Sequence, residues 1–179
     1  MITEPISVRI EKLDSDGLAA VIPALCTLLE DCVQDGASIG FLWPMDDGEA
    51  ESFWRSCLTP VADGMRVLLV ARGEADAVVG TAQLDMAVRS NGRHRAEVMK
   101  LMVHPSARRR GIARALMQAI EDEARRMDRT TLVLDTNDGA EAEHLYRSLG
   151  WTFVGGIPKY ALLTDGTPHK NAIYYKLLD

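Results

Sequence analysis

The amino-acid sequence predicts one α/β (α+β) domain over residues 1–179, with a mixed, mostly antiparallel central sheet of about seven strands flanked by about four helices. Three observations predict it. First, β-rich runs follow one another across short turn signals between Arg66 and Val103, which reads as an antiparallel meander. Second, the last of these runs passes through a basic loop into an amphipathic helix and then into another apolar run. That order demands a right-handed crossover and a parallel pair. Third, no repeat, low-complexity tract or linker divides the chain, and its length suits one core.

Taken in order, Ser7 to Leu13 alternates apolar and charged residues as a first strand does. Ser15-Asp16-Gly17 signals a helix start, and a helix follows to about Val33 with Leu25, Leu28, Leu29, Cys32 and Val33 on one face. Pro23 should kink that helix or mark its true start. Asp35 to Phe41 is a loop of small residues leading into Leu42-Trp43-Pro44. Its Ile39, Phe41 and Trp43 make it either a mobile, sticky loop or a closure of the core. A second helix is predicted from Asp47 to about Val61, with Phe53, Trp54 and Cys57 inward.

The strand Arg66–Arg72 turns at Glu74-Ala75-Asp76 and returns as Val78–Val88, where Gly80 hints at a bulge. Asn91-Gly92 is a hairpin signal that delivers the strand Arg95–Val103, apolar from Val98 onward except for Lys100. Pro105 lacks the N–H a ladder needs and ends it. From Ile112 to Met127 an apolar stripe of Ala113, Leu116, Met117, Ile120, Ala124 and Met127 opposes a charged face. Thr131–Thr136 is a short buried strand. Asp138 and Glu141 resemble a capping box, the helix they open runs to Leu149, and Gly150 stops it. Strands at Trp151–Gly155 and Ala172–Leu178 close the chain, with a turn at Thr164–Pro168 between them.

The functional stretch is the basic loop. Amides in the first turn of a helix have no partner within it and lie at the positive end of its dipole. Gly111 and Ala113 leave room for a bulky anion to approach them, while Arg108, Arg109, Arg110 and Arg114 surround the turn with charge. This is a seat for phosphate groups, unless it is only a solvated turn. The net charge of −6 argues against general nucleic-acid binding, since the arginine cluster is local. No segment is apolar for long enough to cross a membrane, and no signal peptide is evident. Cys26, Cys32 and Cys57 have no metal-ligand spacing and suit free thiols in a reducing compartment. A cytoplasmic protein is the expectation.

There is no P-loop sequence, no dinucleotide G-x-G-x-x-G and no G-x-S-x-G elbow. Glu141-Ala142-Glu143-His144 holds one E-x-x-H spacing where a di-metal bundle needs two, so His144 reads as a surface or capping residue and no metal site is expected. Arg108-Arg109-Arg110-Gly111-Ile112-Ala113 resembles the R/Q-x-x-G-x-G/A loop of the GNAT acyl-CoA N-acyltransferases. Leu101 to Pro105 resembles the strand those enzymes place before it, and Asn137 with Leu145-Tyr146-Arg147-Ser148-Leu149-Gly150-Trp151 resembles their second motif. Gly36 to Phe41, Arg95 to Val103, Leu134-Asp135-Thr136 and Ala172-Ile173-Tyr174 look more narrowly like the tabtoxin-resistance acetyltransferases.

The resemblance implies a GNAT-like sheet whose parallel pair splays, and transfer of acetyl from acetyl-CoA, without a metal, to an amine. The pantetheine arm would pair with Leu101, Met102 and Val103, and the pyrophosphate would lie on the amides of Arg109, Arg110, Gly111, Ile112, Ala113 and Arg114, with Arg108 and Asn137 also at the cofactor. Glu97 begins one splayed strand and Asp135 ends the other. Glu97 is the first candidate for the base that takes the amine's proton and Asp135 the second; either one instead holds an ammonium by charge. Tyr146 stands where the family has the acid that protonates departing CoA, and it also borders the cofactor. Ile39, Phe41, Trp43 and Tyr160 would flank an acceptor of small or medium size. The narrower resemblance implies an amino-acid-like toxin and a role in detoxification or antibiotic resistance. A protein N-terminus or lysine is the alternative acceptor, and an acyl-CoA-binding sensor without catalysis is the alternative of another class. Such enzymes are often homodimers, which sets the expectation for assembly.

Overall fold

The computed structural model describes residues 8–178, so Ser7 of the first expected strand lies outside the described residues. Strand β1 (Arg9–Leu13) leads into helix α1 (Ser15–Gln34), the short helices α2 (Glu49–Ser56) and α3 (Leu58–Ala62), and then the meander β2 (Arg66–Arg72), β3 (Val78–Met86) and β4 (Arg95–Val103). Helix α4 (Ile112–Arg126), strand β5 (Thr131–Asn137) and helix α5 (Ala142–Ser148) follow. The chain ends with β6 (Thr152–Gly155), the two-residue strands β7 (Ala161–Leu162) and β8 (Pro168–His169), and β9 (Asn171–Leu177). The main sheet has the order β1-β2-β3-β4-β5-β9-β6, and β7 and β8 form a separate small hairpin.

Each face of the sheet buries a different core. In β2, Val67, Leu69 and Ala71 face the α4 side, with Leu116, Met117 and Ile120 of α4 above them. Leu68 and Val70 point the other way, toward Leu25, Leu28 and Leu29 of α1 and Trp54 of α2. A strand with apolar residues on both faces must be covered twice, and the residues of β2 are buried from Val67 to Ala71. The three cysteines are free thiols.

Several local expectations change. The cap of α1 is Asp14, one residue before the expected signal; its carboxylate accepts from the Gly17 amide at 2.7 Å. Pro23 neither starts nor interrupts α1. It lies on the exposed face, where the Ala19 carbonyl it leaves unpaired reaches solvent. The expected Asp47–Val61 helix is two helices broken at Cys57. Pro60 lacks the N–H that would reach the Ser56 carbonyl, and its ring crowds that carbonyl. The capping box at Asp138 and Glu141 does not form. Asp138 pairs with Lys170, and Glu143 takes the loop amide of Gly139 at 2.6 Å.

The feature that positions the site is an extra residue in β4. Thr81 stands opposite Met102, yet Gln83 stands opposite Met99, so β4 carries one more residue than β3. Lys100 absorbs it with φ 53°, in the left-handed region. On its other side β4 pairs in parallel with β5 only at Arg95, Ala96 and Glu97. Beyond Glu97 and Val133 the two strands part while both continue, leaving the β5-facing edge of Met99 to Val103 without a strand partner. Gly80, expected at a bulge, sits beside a register shift in the β2–β3 pairing, and it also lets α4 close on the sheet. A Cβ there would stand 2.9 Å from the Met102 carbonyl oxygen and 3.2 Å from Leu116. Gly80→Val is therefore expected to lower unfolding free energy by about 1–3 kcal/mol in urea denaturation. Wild-type stability in that variant would show that α4 does not press on the sheet here.

Candidate active site

Two adjoining cavities occupy the parting of β4 from β5. One, of about 510 Å³, is lined by Glu97 to Leu101, by Asp135 to Asn137, by the loop Asp35–Ile39 and by Tyr146. The other, of about 620 Å³, lies over the start of α4 and is lined by Leu101, Val103 and residues from Ala107 to Arg114. They share Leu101, Arg108, Glu141 and Ala142, so they form one continuous channel along the splayed strand.

At the second cavity the chain makes a turn of alternating hand. Arg109 has φ 64° and Gly111, which caps α4, has φ 80°. Successive residues of this kind aim their amides into one concavity. Among the described residues, the amides of Arg109, Arg110, Gly111, Ile112, Ala113 and Arg114 donate to no protein acceptor. The first protein-bonded amide beyond them is Ala115, to the Gly111 carbonyl at 3.0 Å. Space and free donors together fit a large anion such as a diphosphate. The arginines around them do not all serve that seat. Arg108 turns away, donating to the Val103 carbonyl at 3.2 Å and to Asp35 at 2.5 Å. Arg114 donates to Ser148 at 2.8 Å, and Arg109 pairs with Glu141 on the exposed rim.

At the first cavity, Glu97 and Asp135 project from opposite sides of the gap on the same sheet face. Ala96, Val98, Leu132 and Leu134 take the α4 face, which leaves Glu97 and Asp135 the other. Burial pushes the Glu97 carboxyl above the ordinary carboxylate value, and the charges of Asp135 and Asp85 push it further. Asp85 is its cross-strand neighbour and is held by Arg66 at 2.8 Å. Asp135 accepts a hydrogen bond from the Asn171 amide group at 3.3 Å. Tyr146 lies on α5 across the gap, 6% exposed, and burial raises its phenol well above its usual range. Its hydroxyl has no hydrogen-bond partner among the described residues, although Tyr146 lines the cavity. The site thus offers a carboxylate poised to take a proton and a phenol that stays protonated.

Asn137, Leu101 and Ile39 also line the channel. Phe41 instead packs edge-on against Phe53 at 5.4 Å, and Met102 is buried under α1. Trp43 and Tyr160 are exposed and line neither cavity of the channel, though the Trp43 amide reaches the Thr164 carbonyl at 2.8 Å. Among the described residues no cluster of metal-ligating side chains occurs, and no helix is long and apolar enough to cross a membrane. Sequence reasoning passed over Asp85, Asn171 and Lys100. Only Lys100 left a signal, as a charge inside an apolar β-run.

The chain belongs to the Acetyltransferase (GNAT) family, whose sequence profile matches residues 23–151. An uncharacterized N-acetyltransferase from the hisH-hisA intergenic region of Azospirillum brasilense is 33% identical over 116 residues, covering 64% of this chain and 67% of its own. A ribosomal-protein-alanine N-acetyltransferase from Brucella melitensis has a similar structure, with TM-score 0.78, 25% identity and coverage of 95% of this chain and 99% of its own. The putative acetyltransferase yncA of Salmonella typhimurium, solved with acetyl-CoA, has TM-score 0.78 at 21% identity, covering 97% and 95%. A phosphinothricin acetyltransferase from Sinorhizobium meliloti, solved with acetyl-CoA, has TM-score 0.80 at 17% identity, covering 97% and 89%. The last two show likeness of fold alone.

If Asp135 contributes to the raised Glu97 value, Asp135→Asn must lower it, because a neighbouring negative charge is removed. The Glu97 side-chain carbon shift, followed against pH by NMR, reads this directly. An unmoved titration would leave burial and Asp85 as the only causes.

Proposed function

We propose that the protein is an acetyl-CoA-dependent N-acetyltransferase acting on a primary amine of a small molecule. The observation that carries this reading is the continuous channel, with free helix-start amides at one end and the Glu97–Tyr146 pair at the other. The amides of Arg109 to Arg114 would take the pyrophosphate of acetyl-CoA, and the unpaired edge of Leu101 to Val103 its pantetheine arm. Acetyl-CoA supplies an activated acyl group as a thioester. Glu97 accepts a proton from the incoming ammonium, directly or through a water, so that the nitrogen lone pair attacks the acyl carbon. An amide of Met102 or Val103 stabilises negative charge on the thioester oxygen. The C–S bond breaks as the N–C bond is made, Tyr146 gives its proton to the departing thiolate, and the second proton of the acylated nitrogen returns to the Tyr146 phenolate, directly or through water. Asp135 is the second candidate for the base or holds an ammonium by charge.

An amino-acid-like toxin is the narrower reading of the acceptor, with detoxification as its role, and a cytoplasmic homodimer is the working expectation. A second acceptor reading, a protein N-terminus, draws on the likeness to the Brucella ribosomal-protein-alanine enzyme.

Free-thiol release from acetyl-CoA across a panel of amino acids, polyamines, aminoglycosides and peptides tests the activity; tight binding without turnover on any acceptor would favour a sensor module. Tyr146→Phe is expected to cut kcat by about 100-fold while acetyl-CoA affinity stays near wild type. Equal losses in both would make Tyr146 a structural residue. The pH profile carries a sign. Glu97 works only when ionised, so kcat/KM falls as pH drops through its raised pKa, and the acid limb lies above that of an ordinary carboxylate. Tyr146 stays protonated throughout, because its own pKa is raised.

A further inference from the structure

Lys100 is an unusual occupant of a bulge. Its backbone has φ 53°, a conformation that disfavours any side chain with a Cβ and would suit glycine or asparagine. Its ammonium is turned into the protein. It donates to the Ile39 carbonyl at 2.6 Å and lies 5.4 Å from the centre of the Phe41 ring and 5.3 Å from that of Phe53. Two aromatic faces and a carbonyl are favourable surroundings for a cation withdrawn from water. The partner loop is shaped to allow it. Gly40 has φ 94°, and a Cβ there would stand 3.1 Å from the Lys100 nitrogen. Two of the residues fastened in this way, Ile39 and Phe41, come from the loop whose Asp35–Ile39 portion walls the cavity holding Glu97 and Asp135.

An apolar side chain would fill the same space without burying a charge. Packing alone therefore does not account for a lysine here. Burial lowers the pKa of the ammonium, as does the charge of Arg66, while Cys57, Asp135 and Glu97 act to raise it. Glu97 in turn is surrounded by Asp135, Asp85, Arg95 and Lys100.

We propose that Lys100 is a positioning residue for the acceptor, its ammonium latching the Ile39–Phe41 loop onto the β4 bulge so that one wall of the acceptor cavity is set by the strand that carries Glu97. This rests on the acetyltransferase reading for its kinetic consequence, but the latch itself is a property of the free protein. Lys100 acts through the loop and touches no reacting atom. Arg108 makes a parallel tie from the other end, joining Asp35 of the same loop to the Val103 carbonyl of the same strand.

The test is Lys100→Met, which keeps the length and the apolar stem between the rings, keeps the strained φ, and removes the charge and the donor. In the free protein, the hydrogen-bonded amides of Ala37 and Trp43 should exchange about tenfold faster, while helix α4 exchanges as in wild type. In turnover, KM for the acceptor should rise about tenfold, with KM for acetyl-CoA near wild type. The acid limb of kcat/KM should move to higher pH, since a positive charge beside Glu97 is lost. Lys100→Arg, which restores a cation and donors, should recover most of each change. If Lys100→Met is neutral in loop exchange, or raises both KM values together, or leaves the acid limb in place, the proposal is wrong and Lys100 is packing. If wild type acetylates nothing, loop exchange alone decides on the latch, and the acetyltransferase reading fails separately.

Discussion

The structure depends on one mismatch of strand length. β4 holds one residue more than β3 can pair, and it spends that residue at Lys100 with a left-handed backbone. On the other side of β4, parallel pairing with β5 ends after Glu97 and Val133, just before the surplus residue, so the bulge lies in the stretch that has left β5. In most sheets an unpaired interior edge is a cost, because buried amides and carbonyls need partners. Here the edge lines a channel, so its groups face open space rather than a buried core. The same parting brings Glu97 and Asp135 to facing positions and opens the cavity beneath Tyr146.

Charge is distributed along the channel in a way that composition hides. The chain is acidic overall, yet its helix-start end offers a cluster of free amides and arginines. Two of those arginines are already engaged: Arg108 with Asp35 and the Val103 carbonyl, Arg114 with Ser148. What remains free there is chiefly backbone, reinforced by the helix dipole, and backbone donors are fixed in place by the fold. At the other end, burial acts oppositely on function for two acids. It raises Glu97 toward the range where a carboxylate is a useful base, and it keeps Tyr146 a proton donor.

Much of this was legible in the residues. The meander, the crossover and α4 follow from periodicity and turn chemistry, because β-rich runs bounded by turn residues and an amphipathic stripe have few alternative folds. The turn with free helix-start amides was legible because Gly111 between arginines and a strong helix is a specific combination. What escaped was set by tertiary contact. The break at Cys57 depended on weighing Pro60 against an otherwise helical pattern. The pairing of Asp138 with Lys170 depends on a segment 32 residues away, and with Asp138 drawn there it is Glu143 that takes the nearby Gly139 amide. The bulge was invisible because one surplus residue in β4 has meaning only against the count in β3. Hence Lys100, read as a hydrophilic break, gave no hint of its engagement with Ile39, and Phe41, read as acceptor-facing, packs on Phe53 instead.

Amide exchange with and without coenzyme A tests the account most directly, residue by residue. The account predicts that coenzyme A slows exchange at Arg109 to Arg114 and along Leu101 to Val103, and that Gly111→Glu, which sets a negative side chain on that turn, abolishes the protection. Protection confined to other segments, or protection that survives Gly111→Glu unchanged, would contradict it.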